Sequence, residues 1–165
     1  MANHGNAIDA RETLITLMLR EDHQKVNQLF DQFSETTNQN EKRDIVTAVI
    51  ETLEVHEKLE EELIYPAWQE HVDEQSLMDK ALEEHRVVHL LIKELKNQDP
   101  ENARYNASFR VLRRTIEHHI KEEEGKIFPQ AKKADLDWER LTKQVMQWRQ
   151  SLDQKPLWLL GVPVI

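Results

Sequence analysis

His56-Glu57-Lys58-Leu59-Glu60-Glu61-Glu62-Leu63-Ile64-Tyr65-Pro66 returns later in the chain as His119-Ile120-Lys121-Glu122-Glu123-Glu124-Gly125-Lys126-Ile127-Phe128-Pro129, matching at His, Lys, both Glu, Ile and Pro. Glu21-Asp22-His23-Gln24-Lys25-Val26-Asn27-Gln28-Leu29-Phe30 aligns in the same way with Glu83-Glu84-His85-Arg86-Val87-Val88-His89-Leu90-Leu91-Ile92. Both segments carry apolar residues at three- and four-residue steps, the period of a helix with one buried face. The first half of the chain therefore repeats in the second, and the two helices of each half predict a bundle with a pseudo-twofold axis.

Working outward, helical periodicity covers residues from about Ile8 to Glu35, Glu41 to Tyr65, Asp73 to just before Asn97, and Asn102 to Glu124. Short polar breakers separate them, of the kind that join antiparallel neighbours. Pro66 should kink or end the second helix, because proline removes a backbone donor and clashes with the preceding turn. Gly125 and Pro129 mark the end of the fourth. The expected fold is all-α, an antiparallel up-down-up-down four-helix bundle with a C-terminal fifth helix and an apolar tail. Composition agrees: 32% of residues are charged, and Gly (3) and Pro (5) are scarce among 165 residues. Residues 1–134 are expected to form the bundle, with 135–165 as a helix and tail packed on the same domain.

Charge and composition exclude several classes. A net charge of −9 and the lack of a Lys/Arg cluster argue against nucleic acid. No apolar run approaches the ~20 residues of a membrane span, and the N-terminus does not read as a signal peptide, which places the protein in the cytoplasm. With no cysteine, any metal must be held through nitrogen and oxygen.

The informative step is to see what interrupts each apolar stripe. The stripes are Ile15, Leu19, His23, Val26, Phe30, Phe33; Ile45, Val49, Leu53, His56, Glu60, Leu63; Met78, Leu82, His85, His89, Ile92, Leu95; and Phe109, Leu112, Ile116, His119, Glu123, Ile127. Each is broken near mid-helix by His, or by His and a second ligand-type residue. In an antiparallel bundle these interruptions meet at one height. Five imidazoles and two carboxylates in an apolar core cannot satisfy one another, and a divalent metal is the simplest compensation. The candidate ligands are His23, His56, Glu60, His85, His89, His119 and Glu123. His118 with Glu122 has the same spacing, but the stripe and the repeat favour His119 with Glu123.

If Glu60 and Glu123 bridge two metals together with a solvent-derived oxygen, the five histidines divide unequally. His89 aligns with Asn27, so one metal would take His85, His89 and His119. The other would take His23 and His56 and keep one open position for a small molecule. Glu61 and Glu124 repeat as a pair, as outer hydrogen-bond acceptors for the ligand imidazoles or as solvated charge. Tyr65 and Phe128 either close the pocket or fill the core. His4 and His71 lie off the site.

At these residues the chain resembles the haemerythrin-like family of HHE cation-binding proteins, whose pattern is a first-helix His, then His-x-x-x-Glu, then His, then His-x-x-x-Glu. The resemblance covers roughly residues 15 to 130, and His85-x-x-x-His89 is similar to the third-helix pair of oxygen-binding members. It implies two iron ions (Fe2+/Fe3+) joined by two carboxylates and an oxo or hydroxo group. It also implies a small partner: dioxygen, nitric oxide or peroxide. One departure is Glu123, four residues after His119, where oxygen-carrying haemerythrins have an aspartate five residues on. Three functions follow as expectations: binding or sensing a small molecule, redox turnover of peroxide, nitric oxide or oxygen, and iron sensing. Zinc or manganese also suit the ligand types.

A fifth amphipathic segment, Leu136 to Leu152, puts Trp138, Leu141, Val145, Trp148 and Leu152 on one stripe. The apolar tail after Pro156 reads as a strap across the bundle, with a homodimer contact as the alternative.

Overall fold

The computed structural model describes residues 13–72 and 74–153, and all its regular structure is helical. Four long helices carry the architecture: α1 (Leu14–Glu35), α2 (Gln39–Leu59), α4 (Gln75–Asn97) and α5 (Ala103–Glu122). Short α3 (Tyr65–Trp68) and α6 (Phe128–Ala131) follow α2 and α5 after one π-helical turn each, π1 (Glu60–Ile64) and π2 (Glu123–Ile127). A further helix, α7, spans Trp138–Asp153; the apolar tail from Pro156 to Ile165 lies outside the described residues.

Capping explains where the helices begin. Thr13 is extended and exchanges bonds with Thr16, its Oγ1 accepting from the Thr16 N–H at 3.2 Å while its own N–H donates to Thr16 Oγ1 at 3.2 Å. This reciprocal cap starts α1 at Leu14; Ile8, where the helix is expected to begin, lies outside the described residues. Asn38 Oδ1 accepts from Asn40 and Glu41 at the head of α2, and Asn102 Oδ1 accepts from Arg104 at the head of α5.

Lateral contacts give the packing. Asp22 meets His56 while Lys42 lies over Phe33; Glu54 meets Lys96 while Glu61 meets His85. Glu84 meets His119 while Gln98 meets Ser108; Arg20 meets Glu124 while Asp31 meets Arg113. In each helix pair the numbers rise on one side as they fall on the other, so the neighbours run in opposite directions. The exposed ion pairs among them, such as Glu54 with Lys96, add little stability individually. The apolar interior supplies most of it.

That interior is two clusters. One gathers Val26, Phe30, Phe33, Ile45, Val49, Leu53, Val88, Ile92, Phe109, Leu112 and Ile116; the other gathers Ile15, Leu19, Leu59, Ile64, Trp68, Ala81, Ile127, Phe128, Leu141 and Val145. Each long helix passes from one cluster to the other, and the residue at the crossing is a histidine: His23 between Leu19 and Val26, His56 between Leu53 and Leu59, His85 between Ala81 and Val88, and His119 between Ile116 and Ile127. The polar layer divides the core.

The stripe on α4 departs from expectation. Ala81 and Val88 are buried, whereas Leu82 is 39% exposed and His89 faces out. A helix of 3.6 residues per turn allows the inward face to advance by either three or four residues. The packing follows Met78, Ala81, His85, Val88, Ile92 and Leu95.

Candidate metal centre

Two π turns aim the carboxylates. In π1 the Tyr65 N–H donates to the Glu60 carbonyl, and in π2 the Phe128 N–H donates to the Glu123 carbonyl, five residues apart instead of four. Each turn runs directly into a proline, which has no N–H to continue an α pattern. One-turn π insertions of this kind concentrate at functional sites. Here the residue that opens each one is a buried glutamate.

The side chains converge in two groups that share Glu60. His23 Nε2 and His56 Nε2 are 3.2 Å apart, and His85 Nε2 and His119 Nε2 are 3.3 Å apart. Glu60 places Oε1 3.2 Å from His56 Nε2 and Oε2 3.3 Å from His85 Nε2, so one carboxylate spans both pairs. Glu123 Oε2 lies 3.2 Å from His23 Nε2 and 3.9 Å from His119 Nε2. Its other oxygen, Oε1, accepts the Tyr65 hydroxyl at 2.8 Å. Among the described residues, His23, His56, Glu60 and Glu123 bring their ligand atoms within 4.8 Å of one another, as do Glu60, His85 and His119.

Every ring is braced from behind by a carboxylate of another segment. His23 Nδ1 faces Glu124 at 2.7 Å, His56 Nδ1 faces Asp22 at 3.1 Å, His85 Nδ1 faces Glu61 at 2.9 Å and His119 Nδ1 faces Glu84 at 3.0 Å. An ionised carboxylate only accepts, so each Nδ1 carries the proton and each Nε2 points inward as the potential ligand. The pattern obeys the repeat: Glu124 matches Glu61, and Asp22 matches Glu84. Aromatic rings continue it, with Phe128 stacked on His23 at 6.1 Å and Tyr65 stacked on His85 at 5.4 Å.

Burial by itself would keep the His56 and His85 imidazoles neutral. It pushes the His85 ring down, but the bonds to Glu60 and Glu61 outweigh it and hold the ring up at about 10. For His56 burial is likewise overcome, by Glu60 and Asp22, and the ring sits well above its ordinary value. Burial pushes Glu60 up, and the His56 and His85 rings beside it drive it well below the usual carboxylate range. Protons on His56 and His85 thus offset the charge of Glu60 where a cation would otherwise do so. Even so, both oxygens of Glu60 and Oε2 of Glu123 lack a well-directed hydrogen bond, the nearby imidazole nitrogens being close but poorly aligned. Four imidazoles, two carboxylates and orphaned oxygens in a dry layer fit a first-row metal held by nitrogen and oxygen.

Residues 14–131 match the family described as the hemerythrin HHE cation binding domain. The chain belongs to that family. A solved structure of an HHE cation-binding domain-containing protein from Mycobacterium kansasii superposes with a TM-score of 0.66 at 24% identity, covering 82% of this chain and 86% of that one; this likeness concerns the fold. A protein named DNA nickase from Nostoc sp. is 26% identical over 123 residues, 73% of this chain. The chain spans only 34% of that relative's length.

Within this HHE domain the structure does not bring His89 to the centre. Its side chain is 48% exposed, and Nε2 lies 2.8 Å from Glu57 Oε2. The contact is short but poorly aligned, so we read it as an ion pair rather than a directed hydrogen bond. Glu57 raises the His89 ring above its ordinary value. The physical reason is the register of α4, which turns Val88 inward in its place. The ligand inequality expected from His89 against Asn27 is therefore reversed. The His23/His56 group has four ligand atoms and the His85/His119 group three, because Tyr65 holds the remaining oxygen of Glu123.

Three acidic residues of the HHE domain escaped the sequence reading. Asp22 and Glu84 each precede a ligand histidine in the aligned repeat, which was the available signal. Glu57 is buried beside His56 with Ile120 at its counterpart, so the repeat does not mark it. His118 is 56% exposed, grouped with Glu84 and Glu122 around the Lys80 ammonium, which lies 3.4 Å from His118 Nε2. His71 lies beyond α3, and His4 is outside the described residues.

Proposed function

We propose that this HHE domain is a non-haem di-iron protein that binds dioxygen or a related small molecule, nitric oxide or peroxide, for binding or sensing. The reading takes the long helices as the expected up-down-up-down bundle, which their oppositely running neighbours support. It takes the protein as cytoplasmic and without a nucleic-acid partner, in keeping with the net charge of −9. The observation that carries it is the unequal sharing of candidate ligand atoms, four against three.

His23, His56, Glu60 and Glu123 would hold one ion, and Glu60, His85 and His119 the other. Two iron ions with an oxo or hydroxo bridge would supply Lewis acidity and reversible redox chemistry to a bound small molecule. Tyr65 holds Glu123 Oε1 by a hydrogen bond and packs its ring on His85, so that oxygen is already engaged beside the His85/His119 group. A cavity of about 10 Å³, room for roughly one water, is lined by His23, His56 and His119 with Glu57 and the apolar Val26, Leu53 and Ile116. The cavity adjoins the His23/His56 pair and reaches His119.

Metal analysis of natively purified protein, with absorption spectra of the ferrous form before and after oxygen, tests the proposal. Iron at two ions per chain and a visible charge-transfer band that disappears on deoxygenation are expected. Immediate irreversible oxidation would reject reversible binding. It would favour the second reading, a redox enzyme turning over peroxide, nitric oxide or oxygen, for which the Tyr65 phenol donating to a ligand carboxylate is the supporting observation.

A further inference from the structure

Helix α7 makes its polar contacts to one half of the centre. Leu141 and Val145 are buried in the apolar cluster that holds Leu59, Ile64 and Trp68 of the first half together with Ile127 and Phe128 of the second. From the same helix Arg149 pairs with both oxygens of Asp22, the residue whose Oδ2 braces His56 Nδ1 at 3.1 Å. The adjacent Trp148 donates its indole N–H to Glu62 at 2.9 Å, in the π turn that opens with Glu60. Among the described residues the other half has no equivalent of these polar contacts. Glu84, the counterpart of Asp22, has its cation on its own helix, Lys80 one turn back at 3.7 Å. The counterpart of Glu62 is Gly125, which offers no side chain, and a Cβ there would meet nothing within 4 Å.

A guanidinium presents a planar fork that fixes both oxygens of a carboxylate, whereas a lysine ammonium acts as a point charge. Asp22 clamped in this way holds the His56 ring in one tautomer and one orientation, with Nε2 inward. We propose that Arg149 is a positioning residue for His56, so that docking of α7 and occupation of the His23/His56 position form one coupled equilibrium. The coupling is reciprocal by thermodynamic necessity: if α7 strengthens ion binding, the ion strengthens α7 docking by the same factor. Loss of an outer carboxylate or its support weakens metal affinity by about 10–100-fold. The C-terminal helix thereby reports, and is read by, one of two metal positions.

The inference rests on the reading that both groups hold an ion. Full-length metal-free protein is titrated with cobalt(II), whose d–d bands report coordination at each position. Wild type is expected to take two ions. Arg149→Ala should weaken one position by about 10–100-fold and leave the other unchanged, Arg149→Lys should recover part of the loss, and Asp22→Asn should reproduce it. The double variant should lose no more than Asp22→Asn alone. In wild type, cobalt should slow hydrogen exchange across 138–153 by the same factor, a measurement that needs no variant and decides the matter if Arg149→Ala fails to fold. Unchanged affinities in Arg149→Ala, an equal loss at both positions, additive losses in the double variant, or exchange in α7 indifferent to cobalt would each overturn the coupling. Wild type that takes fewer than two ions would defeat the two-ion reading and the coupling with it; two ions in wild type with an indifferent α7 would defeat the coupling alone.

Discussion

Replacing Glu60 by glutamine keeps the shape of the side chain and removes a charge that lies, one oxygen to each, against both histidine pairs. In the metal-free protein Glu60 is 0% exposed and lies within 3.3 Å of His56 and His85. Breaking a buried ion pair by neutralising one partner costs about 3–5 kcal/mol, a large share of the roughly 5–15 kcal/mol of a typical domain. For a chain of this length each kcal/mol moves the melting temperature by about 2–4 °C, so Glu60→Gln should lower Tm by roughly 6–20 °C at pH 6. The pH dependence follows from His85. Its folded value, about 10, lies above the unfolded value of 6.5, so its contribution is fully present below pH 6.5 and is lost as pH rises toward 10. Glu60 is shifted the other way, and its contribution is lost only as pH falls below its unfolded value of 4.5. Calorimetry of chelator-treated wild type and Glu60→Gln at pH 6 and pH 9.5 should show the difference in Tm shrinking at the higher pH. A difference under 2 °C at pH 6, or one that is equal at both pH values, would refute the role assigned to Glu60.

Other perturbations separate the parts of the centre. His89→Ala should leave two ions per chain by metal analysis, while His85→Ala should lose at least one; loss of metal in His89→Ala would restore that residue as a ligand. Metal binding should displace ring protons, so affinity should rise with pH between 6.5 and about 10, and titration in buffers of different ionisation enthalpy should reveal released protons. Tyr65→Phe removes a hydrogen bond to a buried carboxylate and should cost about 1.5–3 kcal/mol in urea unfolding of the metal-free protein, with α-helical content unchanged.

Much of this was legible because the residues that break a stripe differ so sharply in chemistry from their neighbours. His23, His56, His85 and His119 interrupt runs of Leu, Val and Ile, and the repeat fixes Glu60 and Glu123 relative to them. The register of α4 was not legible. Leu82 and His89 form as regular a stripe as Ala81 and Val88, and the larger leucine outweighs alanine in any reading by hydropathy, although a small residue is what lets α4 seat closely in the core. The π turns were hidden too: Pro66 and Pro129 announced a break in the α pattern, but a widened turn and a kink produce the same sequence signal. Glu57 gave none, since a glutamate beside a ligand on an otherwise charged face looks solvated until its neighbours close over it.

The braces behind the four rings come from outside the helix that carries each ring: π2 for His23, α1 for His56, π1 for His85 and α4 for His119. No single helix, and no single hairpin, therefore possesses a finished coordination sphere. A nascent or partly opened chain would offer loose imidazoles but no oriented pair, so capture of the ion belongs to the last stage of assembly. Escape has the same requirement in reverse. An ion held in this layer is released at the pace at which a helix lifts away, and its residence time becomes a clock for the breathing of the bundle.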